Sequence, residues 1–243
     1  MTKMDREEHV MKDTLNSPRK ASLMLVLLCQ ALTSFSQMTA DGEWKLAKEE
    51  NGISVYTKAS TTSSFSELKM TGTFETTMSA IIALFNDVPN YTSWVYSCTV
   101  SELVRTTTDG EDYYYYSVTD APWPVSNRDV VVHSKVTQEA DTWIVTSASE
   151  NVNGLVEKKK GMERVPLLKS TWTLIPLKEG KVDIAYHLRV DPGGLIPAWL
   201  VNLTLTIGPY NTMLGLKKEV AEDRYKNVRF PYIYEPYLTQ QAN

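Results

Sequence analysis

Residues 191–202 read DPGGLIPAWLVN, and this stretch decides the fold because it stops a strand, turns on two glycines and starts the last helix. Just upstream, Ile184, Tyr186, Leu188 and Val190 alternate with Asp183, Ala185, His187 and Arg189. A period of two marks a strand with one buried face. Pro192 cannot donate to a ladder and Gly193 and Gly194 accept positive φ, so the strand ends there. Pro197 suits the first turn of a helix. From there towards Asn227, the residues Leu200, Leu203, Ile207, Tyr210 and Leu214 recur at spacings of three and four, which puts them on one helical face. Such a helix has roughly 30 residues and a length of about 45 Å. Gly208 and Pro209 predict a bend in it, since an interior proline removes a backbone hydrogen bond.

Upstream, the periodicity switches repeatedly. A short helix is expected over residues 44–50, closed by Asn51-Gly52, then strands over 53–58 and 65–75. Residues 77–87 change to helical spacing through Met78, Ile81, Ile82, Leu84 and Phe85, and Pro89 ends that helix. A bent connector to Trp94 precedes five strand-like runs at 97–107, 112–119, 128–137, 142–148 and 165–176. Turn signals at Asp109-Gly110, residues 139–141 and Glu179-Gly180 make several of them hairpins. Helix, strands, helix, many antiparallel strands and a long last helix define an α+β protein. A curved sheet around one helix can enclose apolar volume. An empty space of about 500 Å³ would cost about 12 kcal/mol at roughly 24 cal/mol per Å³, comparable to the whole stability of a domain, about 5–15 kcal/mol. Side chains or a ligand must fill it.

The first 36 residues have the pattern of an export signal. Lys12, Arg19 and Lys20 form the positive flank, residues 21–32 the apolar segment and Ser34-Phe35-Ser36 a small-x-small cleavage site. Met11 is a second candidate start, and cleavage before Gln37 is preferred to acylation at Cys29, which Leu28 disfavours. The apolar run is too short and interrupted for a membrane span. An exported protein, periplasmic or secreted, follows, with a single domain over 37–230 and a tail over 231–243. The chain has 243 residues and a net charge of −4, which offers nothing to nucleic acid. After cleavage Cys98 is the one remaining cysteine, so no internal disulfide can form; packing is its expected role.

PWPVSNRDVVV at residues 122–132, followed by DPGGLIPAWLVN and a last helix containing Gly208-Pro209, resembles the START family of lipid-transfer (StAR-related) domains. NGISVYTK at 51–58, the Trp94 connector and the strands holding Trp172 and Tyr186 extend the resemblance over about residues 40–228. It implies a helix-grip fold, in which a curved antiparallel sheet grips the C-terminal helix around a tunnel for one hydrophobic ligand, with no cofactor and no chemistry. In sterol-binding members an arginine and an acidic residue meet in the tunnel. Those positions here fall on Ser134 and near Tyr115, so the chain departs from the sterol-type anchor.

The resemblance then places Val130, Val132 and Ser134 on one tunnel-lining strand and Tyr113, Tyr115 and Ser117 on the next. Tyr186 and Leu188 join them from the strand before Pro192, and Leu200, Leu203 and Ile207 from the lid helix. At most two of Tyr113, Tyr114, Tyr115 and Tyr116 can face inward, because alternate residues point to opposite sides. Arg128 and Asp129 are expected as a structural ion pair or cap at the rim, and Trp199 as either a gate or core. Lys158, Lys159 and Lys160 are a solvated loop tip or a contact for anionic lipid heads. His133 and His187 fall on outward faces, and no residue spacing fits a metal site or a nucleophile with its base. A monomeric carrier of a lipid or lipid-like molecule, in transient contact with membranes, is the expected function. The alternative is a tunnel enzyme of the wider helix-grip superfamily, of cyclase or hydrolase type.

Overall fold

Asn51 at φ +54° and Gly52 at φ +74° set the first turn. Two consecutive positive φ values are the geometry of a two-residue hairpin. Residues 45–50, expected as a helix, therefore form strand β1 (Lys45–Glu50), paired antiparallel with β2 (Ile53–Ala59). Lysine, alanine and glutamate favour helix only weakly per residue, and six of them are outweighed by a turn and a partner strand. The computed structural model describes residues 43–59, 66–107, 109–196, 200 and 203–237. The expected leader at 1–36, Trp199 and the side chain of Leu203 lie outside the described residues.

The chain continues through β3 (Ser66–Glu75), helix α1 (Met78–Asn86), a 3-10 turn (Val88–Asn90), α2 (Tyr91–Trp94), β4 (Cys98–Thr106), β5 (Asp112–Thr119), β6 (Arg128–Gln138) and β7 (Val145–Asn151). Two-residue β8 (Glu163–Arg164), β9 (Leu167–Leu177) and β10 (Lys181–Asp191) complete the strands. They form one sheet in the order β1-β2-β3-β10-β9-β7-β6-β5-β4, each pair antiparallel, with β8 parallel beside β6. Thr77 caps α1 by accepting from Ala80 N at 3.1 Å, a cap of the usual kind. Helix α1 is apolar nearly all round because it is enclosed. Its Ile81, Ile82 and Leu84 pack with Val55, Met70, Leu174 and Ile184 of the sheet into one core.

The last helix is shorter than its spacing implied. A π turn (Leu203–Ile207) leads into α3 (Gly208–Glu219), which stops at Val220, and α4 (Asp223–Lys226) follows as a separate turn. Pro209 lies in the first turn of α3, directly after the π turn, where a missing N–H costs little. The π turn also changes the face. Its i to i+5 bonding takes an extra residue per turn, so side chains beyond it leave the α-helical register. Ile207, expected on the inner face, is 46% exposed, while Tyr210, Met213 and Leu216 form the buried face. Both the π turn and α3 lie over β2 and β3. A curved antiparallel sheet holding a C-terminal helix is the helix-grip arrangement. After α4 the chain returns to the domain, burying Ile233 and bonding Gln138 through Tyr234 N and O.

On the outer face of β5 and β6 a second, smaller core forms. Tyr116, Val118 and Val131 are covered by Val152, Val156 and Met162. Asp129 points into it and is held bidentately by Arg164, at 2.8 and 2.9 Å. The partner of Asp129 is therefore a residue of β8 and not its neighbour Arg128. Lys159 lies 4.3 Å above the Tyr116 ring, so one of the three loop lysines packs on this cover.

Candidate functional site

Register across the sheet aligns the interior. Tyr113 of β5, Ser134 of β6, Ser149 of β7 and Ser170 of β9 are successive partners. The same row runs on through Leu188 of β10, Leu68 of β3 and Thr57 of β2. One line across the inner face thus has a hydroxyl half and a mainly apolar half. Tyr115 lies opposite Val132 and Ser117 opposite Val130. Tyr114 and Tyr116 take the outer face, Tyr114 stacked on His133 at 4.3 Å.

The hydroxyls are linked. Ser149 donates to Ser134 at 3.0 Å, Ser134 and Ser147 lie 3.4 Å apart, and the Tyr113 and Tyr91 hydroxyls 3.5 Å apart. Tyr91 donates to the Phe85 carbonyl at 2.5 Å. Ser147, Ser149, Ser170 and Tyr91 were not singled out from the sequence. Their signal was the alternation of Val145, Ser147 and Ser149, which continues the period of a strand with one inward face.

Burial divides this wall into two layers. Tyr113, Val132, Ser134 and Ser147 are buried to within a few per cent, and Ser117 nearly so. Tyr115, Val130, Ser149, Ser170, Tyr186 and Leu188 keep accessible surface. Yet burial pushes the Tyr186 phenol up to about 12, and holds that of Tyr115 well above its ordinary value, with Tyr113 and Tyr186 adding to the effect on Tyr115. Leu200 is buried, and Leu205 of the π turn packs on the core.

The phenols make the fold alkali-sensitive. Burial raises Tyr91, Tyr113, Tyr115 and Tyr186 in the folded state, so the unfolded chain loses these protons first. Stability is fully present below about pH 10, the unfolded tyrosine value, and falls as pH rises through the folded values. Urea titrations from neutral to strongly alkaline pH should show this decline, and a Tyr186→Phe variant should show a shallower one. An equal slope in the variant would mean that Tyr186 is not buried.

Arg128 lies on the same side of β6 as Val130, at the rim. Its guanidinium donates to the Ser126, Pro192 and Gly193 carbonyls at 2.5, 3.4 and 3.2 Å. Asn127 closes its own loop by accepting from Ala121 N at 3.1 Å and donating to Asp120. Gly193 and Gly194 hold φ +69° and +66°, and Asp191 accepts from Gly193 N at 2.9 Å. The PWPVSNRD and DPGG segments are therefore one joint, with Arg128 as its clip. Trp123 and Leu195, 91% and 98% exposed, stand on its two loops.

The histidines lie elsewhere. His133 bonds Asp112 at 2.9 Å and His187 bonds Glu67 at 3.2 Å, both on the outer face. Cys98 is buried against Val100 O and Ser117, and burial pushes its thiol up. Among the described residues no group of His, Cys, Asp and Glu is placed to hold a metal ion, and no helix is long and apolar enough to cross a membrane. A cleft of about 20 Å³ lined by Thr77, Leu177 and Tyr237 lies away from the hydroxyl row and has room for little more than water.

Comparison with known proteins agrees with this architecture. The chain is 32% identical over 202 residues to an uncharacterized protein of Pseudomonas aeruginosa, covering 83% of this chain and 98% of that protein. It is 28% identical over 186 residues to the human phosphatidylcholine transfer protein, covering 74% and 84%. The crystal structure of a StAR-related lipid transfer protein fragment from Xanthomonas axonopodis superposes with a TM-score of 0.67 at 32% identity, covering 74% of this chain and 99% of that one. The family model of the START domain matches residues 26–221. With the helix-grip fold and the joint formed by its two long motifs, the chain belongs to the START domain family.

Proposed function

We propose that this protein takes one lipid or lipid-like molecule into the space between the inner sheet face and the C-terminal helix and carries it through water without altering it. The observation that carries this reading is the set of residues on the inner sheet face, Tyr115, Tyr186, Val130 and Leu188, that keep accessible surface. Apolar walls with a few convergent polar groups are the usual form of a small-molecule site. The outward histidines favour a carrier over the tunnel enzyme, because a general base must reach the ligand. The lipid-transfer names of two relatives point the same way.

Loading requires transient contact with a membrane, and the joint carrying Trp123 and Leu195 offers apolar side chains for it. We assign the carrier, acting as a monomer, to the outside of the cytoplasm because of the leader pattern at 1–36; sequencing the amino terminus of the exported protein should find Gln37. The test of the function is to purify the protein natively, extract it with chloroform and methanol, and analyse the extract by mass spectrometry. A stoichiometric lipid is expected, and uptake of a fluorescent acyl lipid from vesicles. Neither one appearing would refute the carrier.

Filling the space should abolish uptake. Leu188→Trp adds bulk at a half-buried inward position and is expected to block lipid uptake while the protein stays folded by circular dichroism. Ile207→Trp, on the exposed side of the π turn, should leave uptake unchanged. If the two behave alike, the assignment of the inner face is wrong.

A further inference from the structure

The linked hydroxyls run in one direction. A carbonyl oxygen only accepts, and Phe85 O takes the proton of Tyr91. With its single O–H spent, Tyr91 can only accept from Tyr113, 3.5 Å away. Tyr113 lies opposite Ser134 across the β5–β6 ladder, and Ser134 is 3.4 Å from Ser147. Ser149 in turn donates to Ser134. Every member but the last is buried; Ser149 alone keeps accessible surface, on the inner side of β7. Its proton points back into the wall, so it presents lone pairs to the interior.

The same interior carries almost no charge. Along the inward positions of β2, β3, β5, β6, β7, β9 and β10 the side chains are apolar, hydroxyl or amide, with Arg128 at the rim as the exception. Arg128 spends three of its five N–H donors on backbone carbonyls of the joint. A phosphate brought into such a wall would lose its water with no cation to replace it, which is strongly unfavourable. A hydroxyl would find its acceptor ready.

We propose that the cargo is a lipid with an uncharged alcohol head, whose O–H is received by Ser149, the serine whose own proton is spent on Ser134. This inference rests on the carrier reading of the same interior. The acyl part then lies along the apolar half of the row, over Leu188 and Leu68. The human relative's printed cargo, phosphatidylcholine, has a charged head and does not suit this wall.

The test compares three acyl-labelled fluorescent probes with identical chains, offered in trace amounts in phosphatidylcholine vesicles: a diacylglycerol, its O-acetyl ester and a phosphatidylcholine. The diacylglycerol should be taken up about tenfold or more in preference to either of the others, the usual effect of leaving one buried polar partner unmet. Ser149→Ala should keep uptake but lose the preference for the alcohol over its acetate. Equal uptake of phosphatidylcholine would overturn the proposal and leave the carrier standing. So would equal uptake of the acetate, or a preference that survives Ser149→Ala. If no probe enters and no lipid co-purifies, the carrier reading fails and this one with it.

Discussion

Arg164→Ala is expected to destabilise the protein by about 3–5 kcal/mol, the usual cost of stranding one partner of a buried ion pair. Asp129 is 1% exposed and its side chain has no other cation at bonding distance. Burial alone would push its carboxyl up. The bonds from Arg164, with help from Tyr116, outweigh burial and hold it below the ordinary carboxylate value. A depressed folded value contributes stability above the unfolded carboxylate value, about pH 4, and that contribution is lost as pH falls through the folded value. Urea unfolding at neutral pH measures the first effect, and an acid series the second. Arg164 also donates to the Val156 and Glu157 carbonyls at 3.2 Å, so the variant should also release residues 152–162 to proteolysis. A loss below about 1 kcal/mol, the range of a surface pair, would mean that the outer cover is solvated.

Gly215→Ala is the second large effect. Alanine normally gains about 1 kcal/mol over glycine inside a helix. At this position a Cβ would overlap the carbonyl of Trp94, a backbone group that cannot swing aside. Overpacking typically costs about 1–3 kcal/mol. Because the obstacle is backbone, the upper end applies and outweighs the helix gain, for a net loss of about 2 kcal/mol. Helix α3 must move off α2, and the lid moves with it. Thermal unfolding should show the loss, and lipid uptake should change in the same variant. A more stable protein would mean that α2 and α3 are further apart than described.

The parts of this fold that could be read in advance are those where a period is sustained. Ile184, Tyr186 and Leu188 alternate over a long strand; for Tyr113, Tyr115, Val130, Val132 and Ser134 the period fixes only that they share a face, and the resemblance to the START family supplied which one. Residues 44–50 were misread because helix-forming side chains were weighed above Asn51-Gly52, a strong hairpin signal in its own right. Ile207 was misplaced because nothing in the spacing of apolar residues announces a π turn. Asp129 pairs with a residue 35 positions away, in an irregular segment where no periodicity exists to read. The hydroxyl row is a property of register between four strands, and register is settled by tertiary pairing, not by any one strand's pattern.

Both edges of the sheet are irregular. The pairing slips between Leu46 and Lys48 in β1, and between Cys98 and Val100 and again between Leu103 and Arg105 in β4, while every interior pair is continuous. Bulges and edge charges such as Lys48, Glu49 and Glu50 deny a neighbouring chain a straight ladder to extend. A large open sheet made of strands with apolar inner faces would otherwise be a template for fibrils. The irregular borders let the interior stay sticky towards a small guest while the rim stays inert towards other copies of the protein.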